Sequence, residues 1–231
     1  MVKIFIDAGH GGSDSGAVGN GLQEKNLTLD ICKRIAAGLK AYENVTVIMS
    51  RTDDSFPSLA DRTKQANNAN ADLLLSVHIN SGAATARGFE SYTYSGTSGS
   101  TIAYQNVMHL EIFNGAYKAT GVPDRGKKQA NFHMLRESKM KAILTENLFI
   151  SNAADAKLLA DADFRQKIAQ GHINGLEKFL GLKKAAQPPP AEKPDGKLWK
   201  VQVGAFEDEK SARDLAADLI KQGYRPYVYK E

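Results

Sequence analysis

The sequence predicts an α/β protein: a mostly parallel twisted sheet with helices on both faces, followed by a small C-terminal β-α-β segment. Three observations support this fold. Short apolar runs typical of buried strands alternate with apolar stripes at helical spacing. One run, Leu73 to Val77, is almost entirely apolar, which favours a central strand covered on both faces. Finally, prolines cluster in one stretch near the C-terminus and separate a short tail from the rest.

The first half of the chain follows a strand, helix, strand order. Val2 to Asp7 predicts a buried strand, and Val45 to Met49 predicts another. Between them, apolar residues recur every three or four positions, as expected for a helix packed on a sheet: Leu27, Ile31, Ile35, Leu39 and Tyr42. A second helix is predicted over Leu59 to Ala69, because Pro57 and Ser58 are typical helix-start residues.

The alternation continues after Leu73 to Val77. Strands are predicted at Phe89 to Tyr94 and Ala142 to Ile150, with a helix over Ser100 to Thr120 between them. A terminal helix is predicted near Phe164 to Leu180, which completes the large domain.

The stretch from Ala185 to Lys197 holds four of the chain's seven prolines and has no apolar periodicity, so it predicts a semi-rigid linker. We expect a catalytic domain at 1–182, a linker at 183–197 and a tail at 198–231. In the tail, Trp199, Val201 and Val203 alternate with polar residues. A helix over Ser211 to Ile220 and a strand at Tyr227 to Tyr229 complete one β-α-β unit.

Composition limits the classes of function. Hydrophobic residues make up 42% and charged residues 24%, as in ordinary globular proteins. The net charge of +4 includes no arginine-rich block, so no nucleic-acid partner is expected; spread positive charge also suits an anionic wall polymer. Cys32 is the only cysteine, which excludes an internal disulfide, and its apolar helical setting indicates a packing role.

The N-terminal residues show neither a signal peptide nor a membrane span, because the first apolar run is short and Asp7 follows it. We therefore expect no membrane partner. We also expect synthesis in the cytoplasm without a signal peptide, so that the protein leaves the cell after lysis or by another route of release.

Four polar residues lie where a sheet protein builds its active site. His10 follows the first strand in a glycine-rich turn, and His78 ends the third strand. Glu24 opens the helix after the first loop, and Glu146 lies within an apolar strand. Since sites of open α/β sheets gather at the carboxyl ends of the strands, we expect the two histidines to lie together.

Two imidazoles and one carboxylate are a ligand set that catalytic zinc uses, with a further position left for water. A second carboxylate must then move the proton from that water to the leaving nitrogen. Burial in an apolar strand raises a carboxyl pKa toward this task, and Glu146 fits it best. Taken singly, each residue has a structural alternative: a hydrogen-bonded histidine, a helix-start glutamate or a buried ion pair.

Four further residues are candidates with weaker support. Asp7 and Asn80 flank the histidines in sequence and are candidates for orienting them, although local turn bonding explains both equally well. Glu90 is a candidate extra ligand, with a structural role favoured by its strand setting. Arg136 is a candidate for binding a peptide carboxylate, with a surface salt bridge as the alternative.

The segment FIDAGHGGSDSGAVGNGLQEKNLTL resembles the opening of the type 3 N-acetylmuramoyl-L-alanine amidases. LLLSVHINS resembles the second histidine motif of that family, and ILTENLFISN its catalytic-glutamate motif. The resemblance implies one zinc ion held by His10, Glu24 and His78, with Glu146 as catalytic acid and base. It also implies an α/β fold and cleavage of peptidoglycan between N-acetylmuramic acid and L-alanine.

The tail KLWKVQVGAFEDEKSARDLAADLIKQGY resembles the first half of the sporulation-related repeat, SPOR, which binds glycan strands. The full domain has two such units, so a single unit raises the alternatives of a monomer and a dimer paired through the tails. This arrangement resembles the mother-cell lysis amidases of spore-forming bacilli, with a phage lysin as the rival origin.

Two alternative functions remain open. The first is another zinc amide hydrolase of the wall, a peptidase or a sugar deacetylase, with the same metal set. The second is a non-catalytic wall-binding protein, against which the presence of Glu146 with all three ligand candidates argues.

Overall fold

A computed structural model describes residues 1–185, 203–221, 223–224 and 226–229. The chain divides into two units, 1–185 and 186–231, which are described separately. Within the described residues no helix has both the length and the apolar character needed to span a membrane.

A mixed sheet forms the centre of the first unit, in the order β4-β1-β5-β8-β6-β7. Four strands are parallel to one another, and β6 pairs antiparallel with β8, so β6 and β7 run in the opposite direction. The strands are β1 (Val2–Ala8), β4 (Val45–Met49), β5 (Leu73–Asn80), β6 (Phe89–Thr93), β7 (Asp124–Gln129) and β8 (Lys141–Phe149). The short strands β2 (Val18–Gly19) and β3 (Leu22–Gln23) form a separate hairpin.

Helices cover both faces of the sheet. Those of the first unit are α1 (Glu24–Leu39), α2 (Leu59–Asn68), α3 (Ser100–Ile112), α4 (His133–Arg136), α5 (Ala153–Ala160) and α6 (Ala162–Leu180). Ser58 caps the start of α2 by accepting a hydrogen bond from the backbone of Asp61. The prediction of a mostly parallel sheet with helices on both faces is therefore confirmed.

The sheet separates two apolar cores. The larger core packs α1, α3 and α6 against residues such as Ile6, Val77 and Ile143. The smaller core packs α2 and α4 against Phe5, Leu74 and Leu144 on the opposite face. Because successive residues of a strand point to opposite faces, the alternation along β5 and β8 assigns each side chain to one core.

The helical run has the predicted bounds, Ser100 to Thr120, but not one uniform geometry: α3 ends at Ile112 and continues as a π-helix (Phe113–Tyr117) and a short 3-10 helix (Lys118–Thr120). Sequence periodicity also missed the edge strand β7. Its sequence, DRGKKQ, is polar, and most of its side chains are exposed, so it lacks the apolar alternation of a covered strand.

In the second unit, the predicted tail helix is present as α7 (Glu209–Lys221). No strand is assigned at Tyr227 to Tyr229 among the described residues, and this strand stays a prediction because its predicted partner lies largely outside them; the rings of Tyr227 and Tyr229 stack with their centroids 5.7 Å apart. Of the other predicted strand, Trp199 and Val201 lie outside the described residues, and Val203 is not in a strand.

Candidate active site

The four principal candidates meet at the carboxyl ends of β1, β5 and β8. His78 on β5 and Glu146 on β8 are register partners, and Glu146 is in turn the partner of Glu90 on β6. Partners in neighbouring strands point to the same face, so these three side chains form a row across the sheet. The row lies on the same face of the sheet as the smaller core, and follows the apolar residues Leu74 and Leu144 along β5 and β8.

Glu24 joins the two histidines. Its Oε1 lies 3.0 Å from Nδ1 of His78, and its Oε2 lies 3.2 Å from Nε2 of His10. The backbone amides of Ala17 and Ile79 each donate a hydrogen bond of 2.9 Å to this carboxylate. One ligand atom from each of the three residues lies within 4.8 Å of the other two. Glu24 is the first residue of α1, so the start of this helix positions the carboxylate between the two histidines.

Two glycines make room for this group. A Cβ on Gly9 would lie 2.4 Å from Cε1 of His78, so a side chain there would displace the imidazole. Gly16 has a φ of 62°, and its Cβ would lie 2.6 Å from His10 and 2.7 Å from the Glu24 carboxylate. His10 itself has a φ of 61°, an uncommon left-handed conformation for a residue other than glycine.

The electrostatics of the group favour a cation. Burial alone would raise the pKa of Glu24, but hydrogen bonds from His10 and His78 hold it well below its usual range. Burial alone would lower the pKa of His78, yet Glu24, Glu146 and Asp7 raise it to about 9. The pKa of His10 is also raised, chiefly through Glu24 against the effect of burial. The site thus attracts positive charge.

The donor set fits a zinc ion. Ligands about 2.1 Å from a tetrahedral zinc lie ~3.4 Å apart. Each histidine nitrogen lies near this distance from one oxygen of the Glu24 carboxylate, His78 at 3.0 Å from Oε1 and His10 at 3.2 Å from Oε2. Asp14 accepts a 2.8 Å hydrogen bond at Nδ1 of His10, which leaves Nε2 as the ligand atom. Two imidazoles and a carboxylate are a donor set that catalytic zinc sites use.

Glu146 differs from the other carboxyls of the site. Its Oε2 is buried and has no hydrogen-bond partner among the described residues. Burial, together with the charges of Glu24 and Glu90, raises its pKa to about 8, against the opposing effect of the two histidines. A carboxyl group with a pKa near neutrality is suited to both accepting and donating a proton.

A β-bulge shapes the strand that carries Glu146. Between His78 and Asn80, β8 contains one more residue than β5, and Leu148 takes a φ of 74° there. Asn147 anchors the bulge from the opposite face by donating to the carbonyl of His78 at 3.2 Å and accepting from the Tyr117 hydroxyl at 3.0 Å. The bulge therefore ends the regular pairing next to the catalytic candidates.

Two buried arginines hold the loop that carries His10. Arg51 donates to the carbonyl oxygens of Ala8 and Gly9, each at 3.0 Å. Arg62, only 1% exposed, donates to the carbonyls of Ala8 at 2.6 Å and His10 at 2.7 Å. These bonds satisfy carbonyl groups of a loop whose backbone makes few regular bonds, and so fix the position of His10.

The weaker candidates have other partners. Asp7 forms a buried ion pair of 2.8 Å with Arg62 and accepts from Ser76. Asn80 donates to Glu90 at 2.8 Å. Glu90 is held by that amide and by basic residues of β7, apart from the group of potential metal ligands. Arg136 is exposed and bonds Glu137 and Asn131, so the structure does not bring it to the other candidates.

Sequence reasoning missed Asp14, Arg51 and Arg62. Asp14 carried a usable signal, since a carboxylate four residues after a histidine in a tight loop can reach its ring. Arg51 follows β4 directly and lies at the same sheet edge as the histidines. Arg62 gave no signal, because an arginine on an amphipathic helix is usually exposed.

Comparison with known proteins identifies the family of the chain. The N-acetylmuramoyl-L-alanine amidase family matches residues 4–178, and the SPOR domain family matches residues 182–231. A sporulation-specific N-acetylmuramoyl-L-alanine amidase of Bacillus subtilis (strain 168) is 49% identical over 229 residues, which is 99% of this chain and 84% of the relative. An endolysin of Bacillus phage SPP1 is 42% identical, covering 87% of this chain and 75% of that protein.

Solved structures share the fold. The catalytic domain of CwlV, an N-acetylmuramoyl-L-alanine amidase from Bacillus (Paenibacillus) polymyxa var. colistinus, matches with a TM-score of 0.73 and 37% identity, covering 79% of this chain and all (100%) of that one. An N-acetylmuramoyl-L-alanine amidase from Clostridium difficile 630 matches with a TM-score of 0.74 and 33% identity, covering 78% of this chain and 97% of that one. The chain is thus an amidase that belongs to the N-acetylmuramoyl-L-alanine amidase family and carries a C-terminal SPOR domain.

Proposed function

We propose that this amidase is zinc-dependent and hydrolyses the amide bond between N-acetylmuramic acid and L-alanine in peptidoglycan. His10, Glu24 and His78 hold one zinc ion, and Glu146 is the catalytic acid and base. The observation that carries the proposal is the convergence of three donor atoms within 4.8 Å, beside a buried carboxyl oxygen of Glu146 that has no partner among the described residues.

When bound, zinc supplies Lewis acidity that polarises the scissile carbonyl and makes a water molecule easier to deprotonate. Glu146 accepts the proton from the attacking water and passes it to the nitrogen of L-alanine as the amide bond breaks. Its buried setting disfavours a permanent charge, so both protonation states are accessible near neutral pH. Asp14 keeps the His10 ring in the orientation that presents Nε2.

Product analysis tests the bond that is cut. Purified wall digested by the enzyme should gain new N-terminal alanine, and mass spectrometry should find glycan strands freed of their stem peptides. A peptidase would instead release peptide fragments with other N-termini, and a sugar deacetylase would release acetate. Either result would overturn the proposed specificity while leaving a zinc hydrolase in place.

We further propose that the domain boundaries follow the proline-rich stretch, with the catalytic domain at 1–182, the linker at 183–197 and the wall-binding tail at 198–231. The match of the tail to the SPOR domain family and the net charge of +4 support binding to an anionic wall. The sporulation-specific relative supports a role in wall lysis during sporulation. Tail-mediated dimers are the alternative to a monomer, and light scattering of the full chain would separate them.

A further inference from the structure

A charged cluster lies next to Glu146 on the side away from His78. Glu90, only 2% exposed, accepts hydrogen bonds from Arg125 Nε at 2.8 Å, from the Tyr92 hydroxyl at 2.7 Å and from Lys128 Nζ. Asn80 donates at 2.8 Å to Oε1, the oxygen that also accepts from Tyr92, whereas Arg125 and Lys128 donate to Oε2. The two basic residues come from the edge strand β7, and the proposed mechanism gives none of these residues a role.

The cluster has more positive than negative charge at the surface. One carboxylate, Glu90, faces two cations, whose side chains remain 35% and 37% exposed. The guanidinium of Arg125 packs over the Phe149 ring at 4.8 Å, and its Nη2 has no hydrogen-bond partner among the described residues. The cations are thus held in place, with N–H groups left to bind an anion.

The position of the cluster relates it to the peptide. His78, Glu146 and Glu90 are successive register partners, so the cluster begins about one strand spacing, ~4.8 Å, beyond Glu146. Glu146 protonates the leaving nitrogen, to which the stem peptide is attached. The glycan side of the bond carries the carbonyl, which a zinc ion held by His10, Glu24 and His78 would polarise. The stem peptide is therefore the part of the substrate that extends toward Arg125 and Lys128.

We propose that Arg125 and Lys128, held by Glu90, form a subsite that binds a free carboxylate of an acidic stem peptide. The inference rests on the proposed function and deepens it, because it names the feature of the substrate that the site selects. Two cations around one carboxylate can accept a second carboxylate without leaving an unbalanced negative charge. A carboxamide at the same position would lose the ionic part of these contacts.

A pair of synthetic substrates tests this subsite. Both carry N-acetylmuramic acid linked to L-alanine and a second residue, whose α-carboxyl group is free in one substrate and a carboxamide in the other. We measure kcat/KM for each and take their ratio, which cancels general losses of activity. The variants are Arg125→Gln, Lys128→Gln and the double variant. Lys127→Gln is the matched control, because Lys127 lies on the same strand but bonds Asn106 instead of Glu90.

The wild type should favour the free carboxylate by about tenfold or more, the factor expected for charge-assisted hydrogen bonds. Each single variant should reduce this ratio, the double variant should bring it close to one, and the control should keep the wild-type ratio. A wild-type ratio of one, or a double variant that keeps its preference, would overturn the subsite while the amidase assignment stands. A wild type that cleaves neither substrate would instead contradict the proposed function, and this inference with it.

Discussion

Replacing Arg62 with methionine is a severe test of how the His10 loop is held. Methionine keeps much of the volume of the side chain but removes every hydrogen bond to Asp7, Ala8 and His10. Asp7, which is 1% exposed, would then remain as a buried carboxylate whose remaining side-chain partner is Ser76. The substitution should therefore destabilise the first unit as well as the site.

Removing one partner of a buried ion pair typically costs ~3–5 kcal/mol, since the remaining charge is uncompensated. Three carbonyl groups, those of Pro57, Ala8 and His10, also lose an arginine donor, which places the expected loss toward the upper end of that range. Domains of ordinary stability unfold with only ~5–15 kcal/mol. Arg62→Met should thus remove a large part of the stability of the first unit and weaken zinc binding through His10.

Urea unfolding followed by far-UV circular dichroism measures the loss. Lys64→Met on the same helix is the control, because Lys64 is exposed and a surface change there should stay within ~0.5 kcal/mol. Adding Asp7→Asn to Arg62→Met should restore part of the stability, since it removes the unpaired charge. If Arg62→Met cost less than ~1 kcal/mol, the buried ion pair would not hold the loop as argued.

Three further predictions concern catalysis, pH and the tail. Glu146→Gln should lower wall hydrolysis by ~10²–10⁴-fold, measured by the release of N-terminal alanine, and a variant with more than a tenth of wild-type activity would contradict its role. Burial lowers the pKa of His172 from 6.5 to about 4, so on acidification the unfolded chain binds a proton before the folded chain does. The stability that the neutral His172 contributes above pH 6.5 is therefore lost as the pH falls toward 4. The raised pKa of Glu146 acts in the opposite direction over this range, so the contribution of His172 is the difference between wild type and His172→Gln in the change of urea-unfolding stability from pH 7 to pH 5. This difference should be ~2 kcal/mol (1.5 pH units), and equal changes in the two proteins would refute this cause. Removing residues 186–231 should leave cleavage of soluble fragments intact and weaken binding to purified sacculi, whereas unchanged sacculus binding would make the tail dispensable.

The sequence was sufficient to predict most of the sheet and the meeting of the four principal residues at one edge of it, for identifiable reasons. Strands β1, β5 and β8 are buried on both faces, so their apolar runs stand out. His10 and His78 follow such runs directly, and parallel strands bring their carboxyl ends to one edge. Glu146 stood out as the acidic residue within a largely apolar run. Local sequence patterns were therefore enough to predict that these residues lie close together.

Long-range contacts set the limit of this reasoning. Arg51 and Arg62 hold the His10 loop through backbone carbonyls 42 to 54 residues away, and carbonyl groups leave no trace in a sequence pattern. For Glu90, the sequence left open an extra metal ligand beside the favoured structural role. Its partners lie on β7, whose polar sequence resembles that of a loop. Such contacts depend on which strand lies at the edge of the sheet, which local periodicity does not determine.

The zinc content of purified protein tests the central claim most directly. We predict about one zinc per chain in the wild type and in Glu146→Gln, because Glu146 is not a ligand. His10→Ala, Glu24→Ala and His78→Ala should each lose the metal, since two remaining ligands hold zinc weakly at an open site. Full wall hydrolysis by a wild type free of metal, or zinc retained at one per chain in all three ligand variants, would contradict the account.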